Sequence, residues 1–396
     1  MYPAPATLIK RLPGSGKSNF VARMRCQDIN MNIVPMSIGR GGTGTYARGI
    51  PHSMARPRGQ TEEAMQEMKK DIVMQWMLQL AREHPELFGR GRDWKVTALQ
   101  EPQMASHVTR IYRIDGRMVH VKFFSRTLGR TGTTYEPARE MEAEYRTLRE
   151  FEHRGFTTGR YQVARALGCN KKADCALATL HADGESLLSL MTGAIKGERS
   201  DADLYMGLEL AARLLKKIHT VMPHSNSVDQ CDLFYSYLKS LFYLEERGLL
   251  DGYHRRIMKG LAGWYDFRPL FSQHGATVHG DANPSNFKIN KGTICTFDVE
   301  RSQPRRSPCV DLSSMAAELL HQFAYLSHNA SAAEPFIAHF LRAYEHDGHA
   351  RHGIRRLLPF FVSRRLFKIA MLGYWNPGHR KFLIEQGTRQ IEVRPE

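Results

Sequence analysis

The hydrophobic pattern of the chain changes its period near Gly184, and this change restricts the possible folds more than any other feature. Between residues 94 and 180, short segments alternate apolar and polar residues, as half-buried strands do. The pair Asp115-Gly116 lies between two of these segments and predicts a tight hairpin turn. After Gly184 the pattern is mostly helical, except around residues 278–298. We therefore predict an α+β protein in which a small antiparallel sheet precedes a larger helical region.

The sheet region is predicted to contain three strands, a helix and two further strands. The strand segments are WKVTAL, VTRIYRI, MVHVKFF, YQVARAL and CALATL, and the helix PAREMEAEYRTLREFEHRG follows the third of them. A longer helix, TEEAMQEMKKDIVMQWMLQLAREHPELF, is predicted before this region and ends near Pro85. Its apolar stripe favours packing against the next domain, although a helix that binds a partner has the same pattern. The stripe comprises Met65, Met68, Ile72, Trp76 and Leu80.

Composition narrows the class of protein and of ligand. The chain has 396 residues, a formal net charge of +16 and six cysteines without metal-site spacing. The charge favours polyanionic ligands, namely nucleotides, phosphorylated sugars, nucleic acid or an anionic membrane surface. No apolar run suits a transmembrane helix, and no secretory signal pattern is found. We therefore predict a cytoplasmic protein with reduced thiols.

Two glycine-rich segments near the N-terminus are similar to nucleotide-binding loops but lack the required context. RLPGSGKS, residues 11–18, matches a P-loop except that Arg11 replaces the first glycine, where the backbone must approach phosphate. The pattern G-x-G-x-x-G at residues 39–44 is followed by neither a clear helix nor an acidic residue at the dinucleotide spacing. We therefore interpret residues 1–60 as a flexible basic extension.

The segment HGDANPSN, followed by DVE, has the groups that phosphoryl transfer requires. That reaction needs a positioned acceptor, neutralised phosphate charge and a metal, and little covalent help from the protein. Asp281 would accept or orient the proton of the acceptor hydroxyl. Asn286 and Asp298 offer hard oxygen ligands that suit Mg²⁺, and Glu300 would bind a second ion or position Asp298. The alternative is that these residues only stabilise turns and helix ends.

These motifs resemble those of the aminoglycoside phosphotransferase and choline kinase superfamily. Its pattern H-G-D-x-x-x-x-N followed by D-x-[DE] is complete, and PCVDL resembles the Pro-x-x-Asp-Leu of that family. The resemblance covers about residues 95–320 and implies a bilobal protein-kinase-like fold that uses ATP and Mg²⁺. It also implies that Asp311 ties the following helix to the catalytic loop. The implied regions are a basic extension (1–60), a helical segment that packs on the kinase core (61–94), a nucleotide-binding N-lobe (95–181) and a C-lobe that binds the acceptor (182–396).

The resemblance assigns residues on the nucleotide side of the site. Lys122 on the third strand would hold the α- and β-phosphates, although an ordinary exposed lysine is the alternative. A glutamate on the next helix would orient it, and Glu144 fits the E-x-x-x-L pattern better than its rival Glu140. Ser106 belongs to EPQMASH, the loop expected over the nucleotide, which lacks the glycines of protein kinases.

The resemblance also assigns the linker between the lobes and a histidine in the C-lobe. The adenine edge is expected to meet the linker backbone, so that Leu180 and His181 contact the nucleotide. His219 ends a helix similar to the family's Leu-x-x-x-His helix. We interpret it as a packed, hydrogen-bonded residue, with a substrate contact as the alternative.

The sequence constrains the chemical identity of the acceptor less than it constrains the nucleotide side of the site. Arg301, Arg305 and Arg306 follow the metal motif, and their guanidinium groups would favour an anionic acceptor if their loop faces the cleft. A solvent-facing basic loop is the alternative. A polycationic aminoglycoside would be repelled by a basic cleft. Choline requires an aromatic cage, for which WYDF and Tyr374-Trp375 are candidates that core packing explains equally well.

We therefore predict an ATP-dependent kinase that transfers the γ-phosphate to a hydroxyl of a small molecule, with a sugar or an anionic or lipid-linked sugar as the expected acceptor. One alternative is a catalytically weak kinase-fold protein that binds nucleic acid or acts as a scaffold, which the basic N-terminal segment favours. A second is a P-loop kinase that uses Lys17. The combination of Lys122, Asp281, Asn286 and Asp298 favours the enzyme.

Overall fold

The structure is a computed structural model that describes residues 72–91, 93–99, 107–127, 135–222, 227–228, 230–345 and 351–393. RLPGSGKS, the glycine pattern at 39–44 and Ser106 lie outside these residues. The helices are α1 (72–83), α2 (Pro85–Phe88), α3 (Pro137–His153), α4 (Leu187–Ile195), α5 (Asp201–Val221), α6 (Gln230–Glu245), α7 (His254–Tyr265), α8 (Cys309–Leu326), α9 (Glu334–Tyr344), α10 (Arg351–Ala370) and α11 (Pro377–Glu392).

The strands lie mostly in the first half of the described chain. They are β1 (Val96–Ala98), β2 (His107–Ile114), β3 (Arg117–Thr127), β4 (Tyr161–Val163), β5 (Ala166–Asn170), β6 (Ala176–Leu180), β7 (Glu185–Ser186), β8 (Ala276–Val278), β9 (Phe287–Asn290), β10 (Thr293–Thr296) and β11 (Gln303–Arg306).

A five-stranded antiparallel sheet forms the N-lobe, in the order β1-β2-β3-β6-β5. The hairpin between β2 and β3 turns at Asp115 and Gly116, both of which have positive φ, as the Asp-Gly signal predicts. Helix α3 covers one part of the sheet and buries Met141, Leu148 and Phe151. The predicted α+β plan, a small antiparallel sheet before a mostly helical lobe, is confirmed.

The segment YQVARAL does not form one strand, as the sequence pattern predicted, but two strands in different sheets. β4 pairs in parallel with β10 of the C-lobe, whereas β5 pairs with β6 of the N-lobe. The backbone N–H of Ala164 donates to the carbonyl of Thr296 at this crossing point. Alternation identifies an extended backbone, but it contains no information about which sheet the strand joins.

Helix α1 packs on the N-lobe sheet. Its side chains Trp76, Met77 and Leu80 are buried in a cluster with Val121 and Phe123 of β3. The helix ends at residue 83, and Pro85 begins the separate turn α2 because proline fits the first position of a helix. The predicted long helix is therefore interrupted before PELF.

The C-lobe consists of helices around two hydrophobic clusters, with short hairpins at the side that faces the N-lobe. β9 and β10 form a hairpin, β7 pairs with β9, and β8 pairs with β11. Residues 181–184 connect the lobes. A Cβ atom on Gly184, which has φ +115, would lie 2.3 Å from the carbonyl oxygen of Ile289, so only glycine fits this close approach. No helix among these described residues combines the length and apolar character needed to cross a membrane.

Candidate active site

Lys122 lies at the centre of a cluster of carboxylates between the lobes. Its Nζ is 3.0 Å from Oε2 of Glu144 on α3. The same Nζ is 2.7 Å from Oδ1 of Asp298 and 2.8 Å from Oε2 of Glu300, which follow β10. Asp298 is 176 positions from Lys122 in the chain, so the contact joins the two lobes. Glu140, the rival candidate on α3, is exposed.

The charges in this cluster shift one another's pKa values. Burial alone would lower the pKa of Lys122, but Glu144, Asp298 and Glu300 raise it above its ordinary value. The ammonium therefore stays charged. Burial raises the pKa of Glu144, and repulsion from Asp298 and Glu300 adds to this effect against the attraction of Lys122. One cation thus faces three carboxylates, an arrangement with surplus negative charge.

The surplus charge and the donor atoms fit a bound divalent cation. One carboxylate oxygen from each of Glu144, Asp298 and Glu300 lies within 4.8 Å of the others. Asn286 is held close to this group, because its carbonyl accepts hydrogen bonds from the backbone N–H of Phe297 at 3.2 Å and from Oγ1 of Thr296 at 2.8 Å. All of these groups offer hard oxygen ligands of the kind that Mg²⁺ prefers.

Asp311 holds the loop that carries HGD. Its carboxylate accepts hydrogen bonds from the backbone N–H groups of His279 at 2.7 Å and Gly280 at 2.9 Å. Nε2 of His219 lies 2.9 Å from the same carboxylate, and its Nδ1 is 2.8 Å from the Tyr344 hydroxyl. His219 is buried, and these contacts give it a structural role. A Cβ atom on Gly280 would lie 2.0 Å from the carbonyl oxygen of Arg301, so the loop requires glycine here.

Asp281 has a cationic partner from the C-terminal part of the chain. Its Oδ1 accepts a hydrogen bond from Nη1 of Arg365 on α10 at 3.1 Å, and Nη2 of Arg365 is 3.1 Å from Oε1 of Glu318 on α8. Burial would raise the pKa of Asp281, but Arg365, together with Lys368 and Arg301, lowers it well below its ordinary value. Asp281 is therefore held as a carboxylate. Its backbone carbonyl accepts a hydrogen bond from Nδ2 of Asn286 at 3.0 Å.

The backbone of the linker is partly occupied by protein hydrogen bonds. The N–H of Leu180 donates to the carbonyl of Arg165 at 2.8 Å, and the N–H of His181 donates to the carbonyl of Met118 at 3.0 Å. The amides of Ala182 and Asp183 have no hydrogen-bond partner among the residues that the structure describes. These two amides are the first ones in the linker that are available to a nucleotide base.

Two of the three arginines that the sequence singled out, Arg301 and Arg305, have different surroundings. Arg301 lies at the Asp281 loop, where its charge affects the pKa values of both Asp281 and Lys368. Its Nε is 3.8 Å from Oε1 of Glu300. Arg305 is exposed on β11, and its Nη2 is 3.5 Å from the hydroxyl of Ser227.

Sequence reasoning missed the cations on α10. Arg365 and Lys368 occur in VSRRLFK, within a helix whose other residues include the buried Phe361, Leu366 and Phe367. Charged residues next to buried apolar ones indicate a buried ion pair, because burying a charge is costly unless an opposite charge lies beside it. The pattern gives no indication that the partner is Asp281, which lies 84 positions earlier.

The sequence matches a known family of enzymes over more than half of its length. Residues 114–355, more than half of the chain, match the model of the APH phosphotransferase enzyme family. The chain therefore belongs to this family and is an ATP-dependent phosphotransferase that acts on a hydroxyl group of a small molecule. Comparison with curated protein sequences found no significant match.

Solved structures share the bilobal protein-kinase-like fold at low sequence identity. A protein from Thermobifida fusca assigned as a fructosamine-3-kinase is 16% identical, with a TM-score of 0.52, over 78% of this chain and 97% of its own. The ADP-bound aminoglycoside phosphotransferase APH(2'')-Ib is 13% identical, with a TM-score of 0.47, over 80% and 98%. Choline kinase LicA from Streptococcus pneumoniae is 15% identical, with a TM-score of 0.46, over 81% and 99%.

Proposed function

We propose that the enzyme transfers the γ-phosphoryl group of ATP to the hydroxyl of a small acceptor of the sugar class. Asp281 is the residue that orients the acceptor hydroxyl, and Asn286 and Asp298 are the ligands of Mg²⁺, with Glu300 beside them. Lys122, oriented by Glu144, is the residue that holds the α- and β-phosphates. The observation that supports the proposal most strongly is the contact of one buried lysine with carboxylates from both lobes.

The proposed transfer is an in-line displacement. The acceptor oxygen forms a bond to the γ-phosphorus, while the bond from that phosphorus to the β–γ bridging oxygen breaks and ADP leaves with the electron pair. The proton of the acceptor hydroxyl passes to the carboxylate of Asp281 or directly to solvent. Mg²⁺, when bound, neutralises charge on the phosphate oxygens. Because the transition state is loose, the main contribution of Asp281 is to position the hydroxyl, and a low pKa suits that role.

The nucleotide side of the site supports the same proposal. The free amides of Ala182 and Asp183 offer donors to the adenine edge next to Leu180 and His181. Ser106 remains a candidate for a phosphate contact. Ion pairing with three carboxylates pre-positions the Lys122 ammonium in the cleft. Asn286 and Asp298 would hold Mg²⁺, with Glu300 beside them, and the Lys122 ammonium would contact phosphate oxygens.

The Asp298→Asn substitution tests the proposal. We expect it to lower Mg²⁺-dependent ADP release by roughly 10²-fold or more, because the amide lacks the charge needed to hold the metal. ADP release is followed in a coupled assay with ATP and Mg²⁺, with and without EDTA. The matched control is Asp251→Asn, which removes the charge of an exposed aspartate outside the site and should leave the rate unchanged. Full activity of the Asp298 variant, or no Mg²⁺-dependent nucleotide binding by the wild type, would contradict the proposal.

A further inference from the structure

The side of the cleft next to Asp281 contains more positive than negative charge. α10 places Arg365 and Lys368 one turn apart, so that they lie on one face of the helix. Arg365 is shared between the carboxylates of Asp281 and Glu318, and its side chain is 11% exposed. The guanidinium of Arg365 therefore forms ion pairs with both carboxylates. Lys368 and Arg301 are additional cations in this region.

Of the additional cations, Arg301 lies near the carboxylate of Glu300, whereas Lys368 has little compensation from the protein. The side chain of Lys368 makes no hydrogen bond and no close ion pair with any residue in the described ranges. Burial, with repulsion from Arg365, Arg301 and Arg364, lowers the pKa of Lys368 to about 7 against the attraction of Asp281. The Nε–H of Arg365 is buried and also lacks a partner among these residues. Buried donors without partners destabilise a protein, so a ligand that supplies acceptor oxygens would relieve this cost.

An exposed aromatic ring lies at the edge of the same region. Tyr374, in the connection from α10 to α11, is 69% exposed, and its ring centroid is 4.5 Å from that of Trp375. Trp375 in turn packs against His321 and Tyr325, which fixes this wall of the cleft. Burial raises the pKa of the Tyr374 hydroxyl, the charge of Glu318 adds to this effect and that of Arg365 opposes it, so the hydroxyl lies in their neighbourhood. An exposed ring beside convergent polar groups is typical of a ligand site.

We infer that this region is the acceptor subsite and that it binds a sugar or polyol bearing an anionic group, either a carboxylate or a phosphate. Lys368 and Arg301 bind the anion, and Tyr374 contacts the apolar face of the ring. Arg365 is a positioning residue for Asp281. The inference rests on the proposed function, which supplies the transfer of the γ-phosphoryl group to a neighbouring hydroxyl. A quaternary ammonium or an amino sugar does not suit the site, because its charge would face three cations.

The test compares matched acceptors that differ in charge. ADP release is measured with glucuronate, glucose 6-phosphate, glucose, glucosamine and choline. Binding of the same compounds to the complex with Mg²⁺ and a non-hydrolysable ATP analogue is measured by calorimetry, so that a compound that binds without transfer is also detected. We expect kcat/KM or the affinity for an anionic compound to be at least about 10-fold higher than for glucose. The glucuronate and glucose 6-phosphate arms distinguish a carboxylate from a phosphate.

Substitution of the lysine assigns the preference to this site. Lys368→Met should raise KM for the preferred anion by about 10-fold or more relative to its effect on KM for glucose, while Lys368→Arg should restore part of the loss. The matched control, Lys381→Met, removes an exposed charge on α11 and should have no effect. Tyr374→Ala removes the aromatic ring and should raise KM for anionic and neutral sugars alike. Tyr374→Phe keeps the ring and should not raise these KM values.

Some outcomes contradict the inference but leave the proposed function intact. These are equal use or equal binding of neutral and anionic compounds, a preference for glucosamine or choline, and an equal effect of Lys368→Met on glucose and the anion. In each case Asp298→Asn would still abolish Mg²⁺-dependent ADP release. Loss of the proposed function has a different signature, because the wild type would then bind no nucleotide in the presence of Mg²⁺.

Discussion

The carboxylate of Asp281 is stabilised by its surroundings in a way that makes it a weak base. Arg365 contacts it directly, and Lys368 and Arg301 add to the positive field that lowers its pKa. Removal of a proton from the acceptor hydroxyl therefore does not explain its contribution by itself. In the proposed function Asp281 orients the hydroxyl toward the γ-phosphorus, because correct placement alone can account for large rate effects.

At the scale of this residue we predict the effect of Asp281→Asn. The amide keeps the shape of the side chain and can still accept a hydrogen bond from Arg365, but it cannot accept a proton or form an ion pair. We expect kcat to fall by about 10²- to 10⁴-fold, while affinity for ATP changes little, since the residue acts on the acceptor. Steady-state kinetics and nucleotide titration separate these two quantities. A variant with wild-type kcat would show that Asp281 does not orient the acceptor.

At the scale of secondary-structure elements, Asp311 connects three parts of the C-lobe. It belongs to α8, it accepts hydrogen bonds from the loop that carries Asp281, and it contacts His219 of α5. A fully buried carboxylate with these partners positions the loop relative to both helices. The loop geometry therefore depends on a residue 30 positions after Asp281, through contacts that the backbone alone does not provide.

We predict that Asp311→Asn is destabilising and also lowers activity. The amide nitrogen would replace either Oδ2, which accepts from the N–H of His279, or Oδ1, which accepts from the N–H of Gly280, so one buried donor would lose its acceptor. The expected loss in the free energy of unfolding is about 2–4 kcal/mol, measured by urea denaturation. The kcat should fall even at temperatures where the variant is fully folded. Unchanged stability and kcat would contradict this assignment, and the exposed Asp251→Asn is again the control.

At the scale of the whole molecule, the site is assembled from both lobes. Lys122 and Glu144 come from the N-lobe, and Asp298 and Glu300 come from the C-lobe. A ligand that contacts both sets stabilises the arrangement of the lobes as well as each lobe. A ligand that binds only the folded state raises the free energy of unfolding by about 2.7 kcal/mol when it is present at 100 times its Kd.

We therefore predict that ATP analogue and Mg²⁺ together raise the Tm of the wild type by several degrees. Differential scanning fluorimetry measures the shift, and EDTA should remove most of it. Asp298→Asn should lose the shift, whereas Asp251→Asn should keep it. The same shift in the Asp298 variant would place the metal and nucleotide elsewhere.

The sequence by itself determined the class of fold and the family, and it supplied candidate residues for phosphoryl transfer. Strand alternation, the Asp-Gly turn and the spacing of HGDANPSN and DVE are local patterns, and local patterns reflect backbone geometry directly. They were sufficient to predict a sheet region before a helical one and to propose roles for Asp281 and Asp298, whereas the role of Lys122 was inferred from the resemblance to the family. The domain boundaries, together with the interpretation of residues 1–60, stay predictions.

Only the tertiary structure decided which distant residues meet. It paired Lys122 with Glu144 instead of Glu140, divided YQVARAL between two sheets, and brought Arg365 and Lys368 of α10 to Asp281. These contacts are made by residues far apart in the chain, whose proximity depends on how helices and strands pack. A hydrophobic period shows which face of a helix is buried, but not which charge it will meet there.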